Sequence, residues 1–136
     1  MDAAARRVLA QQFPLTTTEQ VQIGQDIVRR EAAAVWRLAA RLNASFSAAV
    51  ETIHQSSGSV IVTGMGKAGL VGQKIAATLA SLGTRAHFMH PGEAFHGDLG
   101  RIDRGDVVLM LTQSGETAEV VQLLSSIREL GVPLIA

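Results

Sequence analysis

Two short stretches hold the residues best suited to chemistry. Residues 64–69 read GMGKAG and residues 112–117 read TQSGET. Each follows an apolar run and opens a segment of helical character. A strand-to-helix loop of this kind gathers free backbone N–H groups at the positive end of a helix dipole, which favours an anion. In the first loop Lys67 falls in the first helical turn beside Gly66. A cation there opposes the dipole at a cost of about 0.3–1 kcal/mol at exposed positions. A bound anion facing Lys67 explains it better than solvent does, although the glycines also serve the tight turn and helix packing. In the second loop Thr112, Gln113, Ser114 and Thr117 crowd three hydroxyls and an amide around Gly115. Phosphate monoester oxygens accept many hydrogen bonds, and this is the set that supplies them. Helix capping by Ser114, aided by Glu116 and Glu119, accounts for one hydroxyl but not for the group. Two such loops at neighbouring strand ends point to one compact phosphorylated ligand.

GMGKAG also spells G-x-G-x-x-G, the dinucleotide fingerprint. That reading needs an acidic residue roughly 20 positions on, at the end of the next strand, to take the ribose hydroxyl. Here that strand ends AHFMH, residues 86–90, and the first carboxylate is Glu93, beyond Pro91-Gly92. A Walker A loop is excluded as well, because Ile61 occupies the place of its first glycine. No nicotinamide or other redox cofactor is expected.

The elements that must position these loops are legible in the pattern. The chain has 136 residues, 47% of them hydrophobic and 18% charged, which suits one compact domain. Twelve basic residues balance twelve acidic ones, so no net field draws the chain to nucleic acid or to an anionic membrane. The absence of cysteine removes disulfides, thiolate metal sites and a thiol nucleophile. The start, MDAAARRVLAQQF, lacks the apolar core of a secretory signal, and no stretch reaches the length of a membrane span. A soluble, cytoplasmic domain is expected.

Residues 1–16 read as a leader. Thr16 and Glu19 in TTTE form a capping-box pattern, and Ile23, Ile27, Ala34, Leu38 and Leu42 keep a helical beat to about residue 42. A second helix carrying Phe46, Val50 and Ile53 completes a helical hairpin over 17–57. From 58 to 136 the texture is that of an α/β unit. SVIVTG, RAHFMH, DVVLMLTQSG and VPLIA are non-alternating apolar runs, and helical stretches lie between the first and second and between the third and fourth. Such strands belong to an open parallel sheet sandwiched by helices, a flavodoxin-like three-layer α/β fold. Ala136 falls just after a strand with no helix to cover it, so the chain reads as the first part of a longer fold, truncated before the last strand.

GMGKAG, HPGEAFHGDLG (residues 90–100) and SGETAE (114–119), in this order and spacing, resemble the sugar isomerase (SIS) domain family, and within it the arabinose 5-phosphate isomerases. The resemblance runs from roughly residue 20 to the end, and HPGEAFHGDLG is its most specific part. It implies a partial SIS domain over 17–136, without the paired CBS modules that often follow. It also implies a homo-oligomer, usually a tetramer, whose sites take residues from neighbouring subunits. The implied activity interconverts arabinose 5-phosphate and ribulose 5-phosphate, without a cofactor, for octulosonate synthesis in lipopolysaccharide or capsule. Thr112, Gln113, Ser114 and Thr117 would hold the phosphate, with Gly66 and Gly115 shaping the loops. Lys67, His96 and Glu119 match active-site positions of the family. Ala68 stands where the family usually has serine, which implies one phosphate contact fewer, and the family places a further glutamate and histidine beyond Ala136.

Aldose–ketose isomerisation needs a base near the transferred proton, a group that moves protons between oxygens, and a clamp on the remote phosphate. Glu119 is the first choice for the base. Its position at a helix N-terminus favours the ionised form and so weakens it as a base, whereas desolvation would act the other way. Without the resemblance, a carboxylate that merely suits the helix dipole explains it equally well. His96 could open the sugar ring or shuttle protons, with Gly97 and Asp98 making a turn that could orient its imidazole. A loop histidine bonded to backbone is the plainer reading. His87 and His90 read as structural, and no metal site is expected. Phe13, Trp36, Phe46, Phe88 and Phe95 read as core or interface, with Phe95 a candidate for the pocket wall. A sugar-phosphate sensor without catalysis is the alternative function; the DNA-binding segment that would favour it is missing from the short leader.

Overall fold

A computed structural model describes residues 15–136. The leader expected over 1–16 lies outside the described residues except for Leu15 and Thr16, as does Phe13. The described chain divides into two compact units, one through Asn43 and one from Ala44 onward.

The first unit is the helix α1, Thr17–Ala39. Its start is fixed by the expected capping box. The Thr16 hydroxyl accepts from the Glu19 N–H, and the Glu19 carboxylate accepts from the Thr16 N–H at 2.8 Å. These bonds hold the Glu19 carboxyl below its ordinary value: the side-chain bond from Thr16 is the larger cause and the backbone bond the smaller. The helix stops at Ala39, three residues short of the periodic pattern, and none of its residues is buried. Trp36 is 84% exposed and therefore is not core.

The second unit carries the chemistry-capable loops. The helix α2, Ala44–His54, precedes a strand-helix alternation: β1 (Val60–Gly64), α3 (Gly66–Ser81), β2 (Ala86–Met89), α4 (Pro91–Ala94), a 3₁₀ turn (Asp98–Arg101), β3 (Val107–Leu111), α5 (Ala118–Leu130) and β4 (Leu134–Ile135). The sheet has four strands in the order β2-β1-β3-β4. All three pairings are parallel, with Val60 opposite both Ala86 and Val107.

Each of the four apolar runs in the sequence became a strand, shortened at its ends. β1 is buried along its whole length, so its run of Val and Ile feeds both faces of the sheet. On one face Ile61, Met89, Val108 and Met110 pack with Val120, Leu123 and Ile127 of α5 and with Ala94 of α4. On the other, Val60 and Val62 pack with Ala76 of α3, and Phe88 and Ile53 join that cluster. Helix, sheet and helix make the expected three layers. At the amino ends of the strands the Asp106 carboxylate, only 6% exposed, accepts from the N–H groups of Ser59 at 2.6 Å and Asp103 at 2.8 Å. One side chain thus fastens the entrances of β1 and β3 to each other.

Candidate active site

The register that aligns Gly64 with Leu111 also places the loops that follow them side by side. Between them lies a cleft of about 330 Å³ lined by Met65, Lys67, Ala68, Leu111, Thr112, Gln113, Ser114, Thr117 and Val120. Lys67 and the four polar residues of the second loop are therefore brought together, as the sequence pattern predicts. Met65, Leu111 and Val120 give the cleft an apolar floor that the motif reading missed. The signal for the first two was their place at the strand ends.

The first loop turns at Gly66, whose φ of +55° lies in the left-handed region. Met65 occupies the N-cap of α3 and its side chain makes no capping bond. The amides of the first helical turn are thus left without a side-chain cap. Lys67 is exposed in that first turn and, among the described residues, has no carboxylate within ion-pair distance. A cation at the wrong end of a helix, unpaired and lining a cleft, is placed to meet an anion.

The second loop turns at Gly115, φ +73°. Its hydrogen bonds differ from the simple capping arrangement. The Gly115 N–H donates to Thr112 Oγ1 at 3.0 Å, and the Glu116 N–H donates to Ser114 Oγ at 3.2 Å. Ser114 therefore shapes the loop and does not cap α5. The helix begins later, at Ala118, and Thr117 at its N-cap makes no side-chain capping bond. The helix start leaves the Thr117 hydroxyl and the first amides of α5 available to a ligand.

His96 and Glu119 are not among the residues lining this cleft. Glu119 lies in the first turn of α5, half-buried, next to the lining residue Val120. His96 is exposed on the loop after α4, and its backbone N–H donates to the Glu93 carbonyl at 2.9 Å. Gly97 and Asp98 open the 3₁₀ turn, and the Asp98 carboxylate pairs with Arg101 at 3.1 Å inside it. Phe95 packs on the core and does not wall the cleft. His87 stands in β2 with a buried Nε2 that has no partner among the described residues, and His90 caps α4.

A second cleft, of about 430 Å³, lies at the amino ends of the strands, lined among others by His54, Gly58, Thr84 and Arg85. In open parallel sheets ligands bind beyond the carboxyl ends, which favours the smaller cleft despite its size.

The model of the SIS domain matches residues 52–136. The chain belongs to the SIS domain family. Arabinose 5-phosphate isomerase KdsD of Pseudomonas aeruginosa is 50% identical over 116 residues, covering 85% of this chain and 36% of the relative. The Escherichia coli K12 isomerase of the same name is 43% identical over 114 residues, covering 84% and 35%. The chain thus spans about a third of the length of these relatives. Among solved structures, Escherichia coli CFT073 c3406 in complex with A5P is 34% identical with a TM-score of 0.83, covering 88% of this chain and 64% of that one. A parallel sheet covered by helices is the frame expected of an SIS domain. No described helix is long and apolar enough to cross a membrane.

Proposed function

We propose that this SIS domain binds a pentose 5-phosphate and serves an arabinose 5-phosphate isomerase. The observation that carries the reading is the single cleft shared by Lys67 and by Thr112, Gln113, Ser114 and Thr117. The similarity to the KdsD isomerases, and to a structure holding A5P (the usual abbreviation of arabinose 5-phosphate), supports the choice of substrate.

In this reading Thr112, Gln113, Ser114 and Thr117 hold the phosphate with the first amides of α3 and α5. Lys67 neutralises its charge. The sugar is then anchored at one end, so its carbonyl carbon and the neighbouring carbon are presented in a fixed position. Glu119 removes the proton from C2 of the aldose while the C1 oxygen gains one, giving the enediol. Loss of the O2 proton and return of a proton to C1 gives the ketose. His96 moves protons between the oxygens or opens the ring. The protein works as a cytoplasmic homo-oligomer, a tetramer, in the synthesis of octulosonate for lipopolysaccharide or capsule. The uncovered apolar side chains of α1, among them Val28, Val35 and Trp36, are its subunit contact.

The experiment is a turnover assay on the protein at its native length, following ribulose 5-phosphate formation from arabinose 5-phosphate. Turnover that falls at least about tenfold in Lys67→Ala supports the reading. Turnover untouched by Lys67→Ala would exclude this cleft, and binding without turnover would favour a sensor.

A further inference from the structure

We propose that His90 is a positioning residue: its imidazole, acting as a helix cap, fixes the turn that carries His96. The inference rests on the isomerase reading for its kinetic consequence, but the cap itself stands on geometry alone. His90 is the N-cap of α4, with extended backbone (φ −75°, ψ 131°) and Pro91 at the first helical position. Its Nδ1 accepts the Gly92 N–H at 3.1 Å. Its carbonyl accepts the N–H groups of Glu93 and Ala94 at 3.1 and 3.2 Å. The Glu93 carbonyl in turn accepts the His96 N–H at 2.9 Å. Two hydrogen-bonded steps therefore run from the His90 ring to the His96 backbone.

A second observation concerns Gly92. A methyl group placed on it would lie 3.2 Å from His90 Nδ1 and 3.3 Å from Cε1. The ring lies so close to the backbone that only glycine leaves it undisturbed. The bond also settles the ring's chemistry. A nitrogen that accepts carries no proton, so in this bond the neutral imidazole has its hydrogen on Nε2. His90 is exposed and so has no packing role that would explain its place. Pro91 and Ala94 are buried, and Ala94 packs in the core, leaving the cap to define how the chain leaves α4.

The cap needs only an acceptor two residues before Gly92, and asparagine is among the best residues for that role. The test compares His90→Ala with His90→Asn in the protein at native length. It reads kcat, KM and the hydrogen exchange of the Gly92 and His96 amides. For His90→Ala the expected result is a roughly five- to tenfold loss of kcat, the size of a lost helix cap, with KM within about twofold. Both amides exchange faster in that variant. His90→Asn restores kcat and amide protection. Equal kinetics in the two variants, or unchanged exchange at His96 in His90→Ala, would overturn the proposal. If the unaltered protein shows no turnover the isomerase reading fails, while the exchange data still decide the cap.

Discussion

Gly69 sits so close beneath Gly64 that a Cβ on Gly69 would come within 2.6 Å of the Gly64 carbonyl oxygen. This contact draws the first turn of α3 against the end of β1 and sets where Lys67 stands. The obstacle is backbone, which cannot swing aside as a side chain can. Gly69→Ala should therefore destabilise the fold by about 1–3 kcal/mol, the usual cost of overpacking a dense interior. Urea unfolding measures it; a variant as stable as the parent would show that α3 can lift away freely.

Asp106 ties the amino ends of β1 and β3 through two backbone N–H groups. Asp106→Ala leaves both donors in a part-buried place without a partner. The expected loss is about 2–4 kcal/mol, with Asp106→Asn losing less because its amide oxygen still accepts one bond. The same unfolding assay decides it, and equal losses in the two variants would count against the carboxylate bonds as the cause.

The capping box of α1 gives a pH dependence of known sign. Hydrogen bonds from Thr16 lower the folded Glu19 carboxyl below its ordinary value. The contribution to helix stability is therefore fully present above the unfolded value, about 4.3, and is lost as pH falls through the lower, folded one. Acidification below about pH 4 should lower the protection of the Thr16 amide, its exchange taken relative to the intrinsic rate at each pH, and Glu19→Gln should abolish that dependence. A Thr16 protection indifferent to pH would contradict the box.

Thr117 stands at the helix start without capping it, so its hydroxyl is free of structural duty. Thr117→Val should weaken sugar-phosphate binding by roughly ten- to a hundredfold, the value of one hydrogen bond to a charged group, and leave stability within about 0.5 kcal/mol. Thr112→Val should differ by costing both, because Thr112 Oγ1 also accepts the Gly115 N–H. Calorimetric titration beside thermal unfolding separates the two, and a stability loss in Thr117→Val would show that the hydroxyl is structural after all.

Much of the frame was legible because its signals are local. Val60-Ile61-Val62 is buried on both faces and Val107–Leu111 largely so, and such strands need no alternation. Thr16 and Glu19 cap α1 through bonds three residues apart. The loops were legible because glycine and hydroxyl residues at strand ends have few other uses. Less visible were features set by tertiary geometry. Ser114 looked like a helix cap, yet its hydroxyl closes a turn onto Glu116 and the helix waits until Ala118. The pairing of Asp98 with Arg101 inside the 3₁₀ turn also left no sign in the pattern. The role of His90 escaped because histidine is not among the usual capping residues.

The central claim is that the loops at residues 66–68 and 112–117 together hold a sugar phosphate. The most direct measurement is a titration with arabinose 5-phosphate followed by the backbone amide resonances, with inorganic phosphate and NADH in parallel. The account predicts saturable shifts at Gly66, Lys67, Ala68, Ser114, Gly115 and Thr117, reached at lower concentration with the sugar phosphate than with phosphate alone. Shifts confined to the opposite cleft around Gly58, Thr84 and Arg85, or loops that respond only to NADH, would contradict it.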